Sequence, residues 1–248
     1  RPDVGQVLYV DARDFKPTPP EKEEHKGDVI TPIVLRLVKD FLKSDKNVVL
    51  LSRKNMLAWY VHYDRKLPSS KGTLDSYLDL IRSYILPEHR KRVSISTTHG
   101  YKGEECAHVI VLDAVDRSYP LVHPDWIFSR IFGEDEDTLI EEERRLFYVA
   151  LSRAEDRLVV ISDGGRESPF FTPIRKNTNI ESVDWERFPY NPGGGRTVVR
   201  VYNQRLSDSN ATYRIKDDLK ASGYQWQSTK PVGWVKTFDP AHFSIDLL

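Results

Sequence analysis

The sequence of 248 residues contains a single cysteine, Cys106. One cysteine excludes a disulfide framework and a cysteine-rich zinc site, and it agrees with a reducing, cytoplasmic location. No stretch approaches the roughly 20 consecutive apolar residues of a membrane-spanning helix, so no membrane partner is expected. No apolar signal-like segment follows Arg1, and we expect the chain to be part of a longer polypeptide.

An excess of charge of either sign is also missing. Lys and Arg together number 37, and so do Asp and Glu, so no global basic field attracts nucleic acid. Contacts with nucleic acid would therefore have to come from locally placed side chains. Hydrophobic residues make up 39% of the chain and charged residues 30%, which is typical of a folded domain with a polar surface.

Two motifs of nucleoside triphosphate hydrolases are absent as well. The sequence has no G-x-x-x-x-G-K-[ST] phosphate loop and no D-E-x-Q segment. Without the loop lysine, the hydroxyl that holds Mg²⁺ and the carboxylate that positions water, the chain lacks the groups with which such enzymes hydrolyse ATP. We therefore expect the chain to be unable to hydrolyse ATP by itself.

What the sequence does contain is an alternation of strands and helices. Short apolar runs predict strands at 6–11, 47–52, 93–97, 108–113 and 157–162. Apolar residues at helical spacing predict an amphipathic helix over 28–43, and an acidic first turn predicts a helix over 141–153. This order implies βαβ units, so we predict an α/β domain over residues 1–165 with a mainly parallel sheet and flanking helices.

The pattern changes after residue 165. Residues 166–195 lose periodicity, are rich in Pro, Asn and Gly, and end in NPGGG, which predicts a linker. Residues 196–248 form a small α+β module by the same criteria. Its predicted elements are a strand over 197–202, a helix over 213–222 and a strand over 233–238.

The helix of this module carries an apolar stripe of Ile215, Leu219 and Tyr224, with Gly223 as its C-cap. Trp226 and Trp234 flank the following turn and have two interpretations. Exposed rings beside the lysines of the module would stack on single-stranded nucleic acid. Alternatively, both rings form the core, which so small a domain needs in order to fold.

Residues 96–105, STTHGYKGEE, follow directly after a predicted strand. Hydroxyl side chains, a histidine and a lysine in a strand-to-helix loop form a surface that suits phosphate. Gly100 and Gly103 permit close backbone approach, and a helix start offers free N–H donors. The spacing alone fits an ordinary polar loop equally well.

Residues 141–154, EEERRLFYVALSRA, combine apolar side chains that bury against a sheet with arginines that are hard to bury unpaired. Arg145 and Arg153, eight residues apart, are predicted to lie near the same helical face. A guanidinium held there would reach a phosphate bidentately. The alternative is that these arginines pair with Glu141–Glu143 or face solvent.

In order and setting, STTHGYKGEE and EERRLFYVALSRAEDRLVV resemble motifs V and VI of the UvrD/Rep-like superfamily 1 DNA helicases. Those motifs usually read T-x-H-x-x-K-G-L-E and E-E-R-R-L-x-Y-V-x-x-T-R-A. NVVLLSRKN resembles the strand and arginine that precede the inserted domain of these enzymes. The resemblance covers about residues 5–165 and implies a RecA-like fold without its phosphate loop, the second motor domain of an ATP-dependent helicase.

The resemblance also implies ligands and a nucleotide-binding set. ATP and Mg²⁺ would be the cofactors, with Mg²⁺ held mainly by a first, N-terminal motor domain of the same full-length protein. Arg153 would be the arginine finger that reaches the γ-phosphate, which makes it the catalytic residue of this half. Glu105 would contact the ribose, and Gly103 would lie beside the phosphates. No metal ligand is assigned to the chain.

Single-stranded DNA would be the other partner. The residues implied to contact or support its backbone share one loop: Thr97, Thr98, His99 and Lys102. Such contacts position a strand without reading its sequence. Arg145 and Tyr148 would couple the ATP site to the DNA-binding side.

This sequence departs from the family pattern at several places. Glu104 replaces a leucine and brings a further carboxylate near the nucleotide, unless it points away or pairs with Lys102. Only residues 59–92 remain where the family inserts a whole helical domain, so we predict a stub at about 63–90 with a helix over 74–86.

Two other functions stay open at this point. One is a catalytically inactive, helicase-like scaffold, against which the retained Arg153 and Glu105 argue. The other is a nucleic-acid-binding protein that works through residues 196–248. That module resembles a small domain that recurs beside bacterial and phage helicase and primase domains.

Overall fold

The computed structural model describes residues 5–25, 28–57, 73–121, 136–163, 165–178, 180–191, 197–203, 211–227 and 232–238. The chain divides into two compact units, residues 1–82 with 88–192 and residues 83–87 with 193–248. Over the described ranges, no helix combines the length and the apolar character needed to cross a membrane.

The first unit is built on a parallel sheet. Its strands are β1 (Gln6–Asp11), β2 (Val48–Ser52), β3 (Val93–Thr97), β4 (Cys106–Val111), β5 (Ala154–Ser162) and β6 (Glu181–Ser182). The six strands lie in the order β3-β2-β4-β5-β1-β6, and every pair is parallel. The whole of β2 is buried, as expected for a strand with both faces covered. The predicted mainly parallel sheet is confirmed.

Helices connect these strands. They are α1 (Pro19–His25), α2 (Ile30–Phe41), α3 (Leu74–Ser83), α4 (Glu136–Leu151) and α5 (Phe171–Asn177), with a 3₁₀ helix at Pro87–Arg92. The apolar face of α2 is fully buried, as its spacing predicts: Ile33, Val34, Leu37 and Val38 have no exposed surface. The Asp28 carboxylate accepts hydrogen bonds from the backbone N–H groups of Ile30 and Thr31 at 2.8 and 3.1 Å, which pairs donors that a helix start leaves free.

Most of the predicted linker, 166–195, belongs instead to the fold of the first unit. Phe171 in α5 is buried and stacks on Tyr9 of β1 with ring centroids 5.6 Å apart. Strand β6 pairs with β1, and the Arg36 guanidinium donates to the carbonyl oxygen of Phe188 at 3.2 Å. The residues that fix this segment to the sheet and to α2 are isolated aromatic residues, and they do not recur at the spacing of a helix or a strand. The sequence pattern therefore gives no sign of them.

The predicted stub of an inserted domain, at about 63–90, lies partly outside the described residues, which omit 58–72. Its described part consists of α3 and the 3₁₀ helix. Helix α3 begins at the predicted residue, Leu74, and ends at Ser83, before the predicted end at 86. Tyr77 and Ile81 on its inner face have no exposed surface.

The second unit is a small α+β fold. Its elements are β7 (Thr197–Val201), α6 (Ala211–Arg214), α7 (Lys216–Ala221), β8 (Gln225–Gln227) and β9 (Gly233–Phe238). The strands form an antiparallel sheet in the order β7-β9-β8, and its core is Leu219, Tyr224 and Trp234. The single helix predicted over 213–222 is two short helices, and Ile215 at their junction is 43% exposed, so its predicted place in the apolar stripe is wrong.

Gly223 ends helix α7, and its predicted role as the C-cap glycine is confirmed. Its φ of +82° lies in the left-handed region, where glycine has no Cβ penalty. The Gly223 N–H donates to the Lys220 carbonyl oxygen and the Tyr224 N–H to that of Leu219, both at 2.9 Å. These two bonds form a Schellman motif, and it turns Tyr224 back onto Leu219 in the core.

Candidate functional site

The two motif segments both run from the carboxyl edge of the parallel sheet to its amino edge. The loop 98–105 leaves the end of β3 and enters the start of β4. Helix α4 ends just before β5 begins, with Ser152 and Arg153 between them. His99 therefore lies at the carboxyl edge, and Glu105 and Arg153 lie at the amino edge.

Arg153 sits immediately beyond the last turn of α4 and fastens that turn to the loop. Its Nε donates to the Val149 carbonyl oxygen at 3.1 Å, and one terminal nitrogen donates to the Glu104 carbonyl oxygen at 3.2 Å. The other terminal nitrogen donates to the Ser152 hydroxyl at 3.0 Å. An arginine at this position pairs carbonyl groups that a helix end leaves free. The side chain is only partly buried, so the guanidinium is held in place and still open to a ligand.

The amino-edge end of the loop is exposed and shaped by a glycine. Gly103 has φ +90°, and a Cβ there would meet nothing within 4 Å. Its requirement is thus conformational, since only glycine adopts this φ freely. Glu105 is exposed and lines a cleft of about 380 Å³ together with Asn47, Arg92 and Tyr101. The side chain of Glu104 is also exposed, while its carbonyl oxygen accepts the bond from Arg153.

The first part of the loop, before Gly103, contains the residues predicted to contact or support a nucleic-acid backbone. The Thr97 hydroxyl accepts a bond from the Gly100 N–H at 3.0 Å and shapes the turn. His99 and Lys102 are exposed. The assignment of Thr98 as a backbone contact is wrong, because its side chain is fully buried and its hydroxyl lies 2.5 Å from that of Tyr119.

An ion pair under the loop joins three segments at the carboxyl edge. Arg53, which follows β2, forms two hydrogen bonds with the Glu143 carboxylate of α4, at 3.0 Å from Nε and 2.5 Å from a terminal nitrogen. The side chains are only 10% and 13% exposed. The remaining terminal nitrogen of Arg53 lies 3.3 Å from His99 Nδ1. Strand β2, the loop and α4 are therefore tied together at one guanidinium.

Asp113, two residues beyond the end of β4, anchors the backbone of this arginine. Its carboxylate accepts bonds from the Arg53 N–H and from the Ser52 hydroxyl, all at 3.2 Å. Burial raises the pKa of the Asp113 carboxyl from 3.8 to about 6, although these hydrogen bonds act in the opposite direction. The folded chain therefore holds a proton on Asp113 at pH values where an unfolded chain has lost it.

This difference predicts a pH dependence of stability. Because the folded pKa is raised, the contribution of Asp113 is complete below about pH 4 and is lost as the pH rises through about 6. In Asp113→Asn this loss is absent. The difference in the free energy of unfolding, variant minus wild type, should therefore increase by up to about 3 kcal/mol between pH 4 and 7. Denaturant unfolding across this range measures the gain.

Asp116→Asn is the matched control, since it removes an exposed carboxyl from the same loop. If the free energies of unfolding of the wild type and of Asp113→Asn changed in parallel over this pH range, the pKa of Asp113 would not be raised.

The predicted coupling residues lie on the outer side of α4. Phe147 and Ala150 are buried against the sheet, whereas Tyr148 is 69% exposed and Arg145 is exposed as well. Arg153 does not share a helical face with Arg145, because α4 ends at Leu151. The coupling role of Arg145 and Tyr148 therefore stays a prediction.

Three residues organise the carboxyl edge although the sequence indicates no such role for them: Arg53, Asp113 and Glu143. The LSRKN resemblance includes Arg53, but nothing in the sequence indicates its partner. The sequence suggests Glu143, like its neighbours, only as a partner of the helix arginines. That holds for Glu141, which pairs with Arg144 at 2.5 Å, whereas Glu143 pairs across the fold with Arg53.

The two tryptophans of the second unit differ in environment. Trp234 is buried in the core, as one interpretation predicted, while Trp226 is 53% exposed. Their rings meet edge to face with centroids 5.5 Å apart. Stacking of nucleic acid on Trp226 stays a prediction.

Comparison with known proteins agrees with this geometry. Residues 54–163 match the UvrD-like helicase C-terminal domain family, a range that includes β3, the loop, β4, α4 and β5. An alignment 124 positions long with a probable DNA helicase of Mycoplasma pneumoniae is 28% identical and covers 45% of this chain and 22% of that protein. Both motif segments fall inside the matched family region. Over residues 54–163, the chain is therefore similar to the UvrD-like helicase C-terminal domain.

Proposed function

We propose that the chain is the second motor half of an ATP-dependent superfamily 1 DNA helicase or translocase, with Arg153 as its arginine finger. The observation that supports this best is the anchoring of the Arg153 guanidinium between the end of α4 and the loop. An arginine finger has to present its charge from a rigid support, since the transition state gains only from donors already in place.

The donors of Arg153 fit a phosphate. Arginine has five N–H groups, and each of the three hydrogen bonds described for the Arg153 side chain uses one of these groups. One N–H thus remains on each terminal nitrogen, which suits oxygens of a γ-phosphate. Glu105, exposed in the adjoining cleft, offers a carboxylate that accepts hydrogen bonds from ribose hydroxyls. Bound ATP would supply the phosphoryl group whose developing charge Arg153 stabilises.

The other half of the ATP site would come from a first motor domain. The 248 residues contain no phosphate loop, and the aligned stretch covers 22% of the probable helicase from Mycoplasma pneumoniae. The described residues do not group three His, Cys, Asp or Glu side chains around one point. Mg²⁺ would accordingly take its protein ligands from the first motor domain, which would lie on the same full-length polypeptide.

At the opposite edge of the sheet, the loop from Thr97 to Lys102 would contact single-stranded DNA. The loop and α4 are fastened to each other at both edges, through Arg53 at the carboxyl edge and through Arg153 at the amino edge. A shift of Arg153 when ATP closes the cleft between motor domains would therefore reach His99 through packed elements. This linkage would couple ATP turnover to movement along the strand.

ATP turnover by two proteins tests the proposal. The 248-residue chain alone should hydrolyse no ATP. The full-length polypeptide should hydrolyse it at a rate on the order of 1 to 10³ per second, and single-stranded DNA should stimulate it. Hydrolysis by the 248-residue chain alone would overturn the division of the site. A full-length polypeptide without turnover would favour the inactive scaffold.

A further inference from the structure

The contact between Arg53 and His99 determines which nitrogen of the imidazole carries the proton. A terminal nitrogen of Arg53 lies 3.3 Å from His99 Nδ1. Arginine has only donors and keeps its charge at all relevant pH values, so Nδ1 has to be the acceptor. A neutral imidazole with an unprotonated Nδ1 carries its proton on Nε2. This contact therefore selects the Nε2–H tautomer.

Arg53 is held so firmly that the contact does not depend on a freely rotating side chain. Glu143 fixes two of its nitrogens in a largely buried ion pair, and Asp113 fixes its backbone N–H. Glu143 is fixed in turn, because its carboxylate also accepts the Leu121 N–H at 3.0 Å. Only the third guanidinium nitrogen remains for the exposed His99.

We propose that Arg53 and Glu143 are positioning residues that fix His99 in the Nε2–H tautomer, so that its Nε2–H donates to a phosphate oxygen of the single strand. The inference rests on the proposed function, since the strand is the ligand. It adds how the strand contact is prepared before the strand arrives.

The tautomer of His99 decides whether its contact with a phosphate oxygen is attractive or repulsive. Phosphate oxygens accept hydrogen bonds and donate none. With the proton on Nε2, the exposed edge of His99 offers them a donor. With the proton on Nδ1, that edge offers a lone pair, and the contact with phosphate is repulsive. Fixing the proton in advance also removes the cost of selecting the tautomer on binding.

Nuclear magnetic resonance of the ¹⁵N-labelled 248-residue chain tests the tautomer without any strand. Long-range correlations between ring protons and ring nitrogens distinguish a protonated from an unprotonated nitrogen. Comparison with His99→Gln identifies the His99 signals among those of the seven histidines. We expect an unprotonated Nδ1 and a protonated Nε2 in the wild type, and a mixture of tautomers in Arg53→Lys. A proton on Nδ1 in the wild type would overturn the inference.

Affinity for a fluorophore-labelled oligothymidylate at low ionic strength tests the positioning role. His99→Ala should weaken binding about 10-fold, the order expected for one charge-assisted hydrogen bond. Arg53→Lys, which keeps the charge but loses the planar fork, should weaken it about 5-fold in the wild type. In the His99→Ala background the same change should cost less than about 2-fold, since the residue it positions is gone. Equal losses in both backgrounds would contradict positioning.

Two substitutions of His99 distinguish the roles of its two ring nitrogens. Glutamine places an amide N–H near the position of Nε2, and asparagine places one near that of Nδ1. His99→Gln should therefore keep more of the affinity than His99→Asn. The reverse order would overturn the assignment of Nε2 as the donor.

Glu143→Gln should reproduce the affinity loss of Arg53→Lys. Since it removes one charge of a buried pair, its folding is checked by thermal unfolding, and Arg53→Lys decides the matter if Glu143→Gln does not fold. A wild-type chain that binds no oligothymidylate would refute the strand contact of the proposed function. The resonance measurement would still decide whether Arg53 sets the tautomer.

Discussion

Arg153→Ala in the full-length polypeptide should lower ATP turnover by a factor of about 10³ to 10⁵, the range known for arginine fingers. The reason is the loss of a preplaced positive charge beside the γ-phosphate, where charge develops in the transition state. Single-strand affinity should change less than about 2-fold, because Arg153 lies at the amino edge of the sheet and His99, the proposed strand contact, lies at the carboxyl edge. Steady-state ATP hydrolysis and oligonucleotide binding measure the two quantities.

Arg153→Lys should lose most of the turnover too. A lysine keeps the charge but has no fork to bond Val149 and Glu104 while facing a phosphate. Arg144→Ala is the matched control on the same helix, since it removes an exposed guanidinium paired with Glu141, and such pairs contribute only about 0 to 1 kcal/mol. Turnover near the wild-type rate in Arg153→Ala would refute the finger. Equal losses in both alanine variants would indicate a structural effect.

The elements that the sequence predicts well are those in which local pattern and tertiary burial agree. The run VVLL within NVVLLS is apolar without interruption, and β2 is fully buried between β3 and β4. Helix α2 shows the same agreement, because its apolar residues recur at helical spacing and face the sheet. In both cases one local solution buries the whole apolar set, so the pattern alone determines the element.

Contacts between distant segments leave no such local trace. Glu143 is one of three consecutive glutamates, and nothing in that run indicates that it alone reaches Arg53, ninety positions away in sequence. Thr98 stands between two residues that remain available at the loop surface, yet the turn points it inward to Tyr119. A family motif identifies the loop, whereas the direction of each side chain depends on the backbone path.

Residues 166–191 illustrate the same limit at the level of an element. Their Pro and Asn content is that of a linker, and the residues that fix them to the first unit are separated by irregular intervals. These residues attach to the first unit at Arg36 of α2, among other points. The Arg36 guanidinium lies 5.9 Å from the ring centroid of Trp185 and donates a hydrogen bond to the Phe188 carbonyl oxygen. The stability of this attachment therefore depends on what holds Arg36.

Glu21 of α1 holds it, and replacing either partner should destabilise the first unit by about 3 to 5 kcal/mol. The carboxylate accepts two hydrogen bonds from the guanidinium, at 2.8 and 2.6 Å, and the side chains are only 2% and 7% exposed. Burial alone would raise the pKa of Glu21, but the bonds from Arg36 and Thr18 outweigh it and lower the pKa. Removing one partner leaves the other as a buried, unpaired charge.

Denaturant unfolding of Glu21→Leu, Arg36→Met and the double variant tests this cost. Lys43→Ala is the control, since its ion pair with Asp40 is exposed on the lysine side, and it should cost less than about 1 kcal/mol. The double variant should recover most of the lost free energy of unfolding, because the buried site tolerates a pair of apolar side chains of similar size. Single variants no less stable than Lys43→Ala would show that the pair contributes nothing.

The two single variants should also differ in their response to acid. Arg36→Met leaves a carboxyl group that escapes its unpaired state by taking up a proton, so its loss of stability relative to the wild type should shrink as the pH falls. Glu21→Leu leaves a guanidinium that has no neutral form to adopt, so its unpaired charge persists at every pH. Wild-type stability itself should fall at low pH as the lowered pKa of Glu21 is passed. A difference between the single variants that stays constant with pH would mean that the remaining group reaches water in each of them.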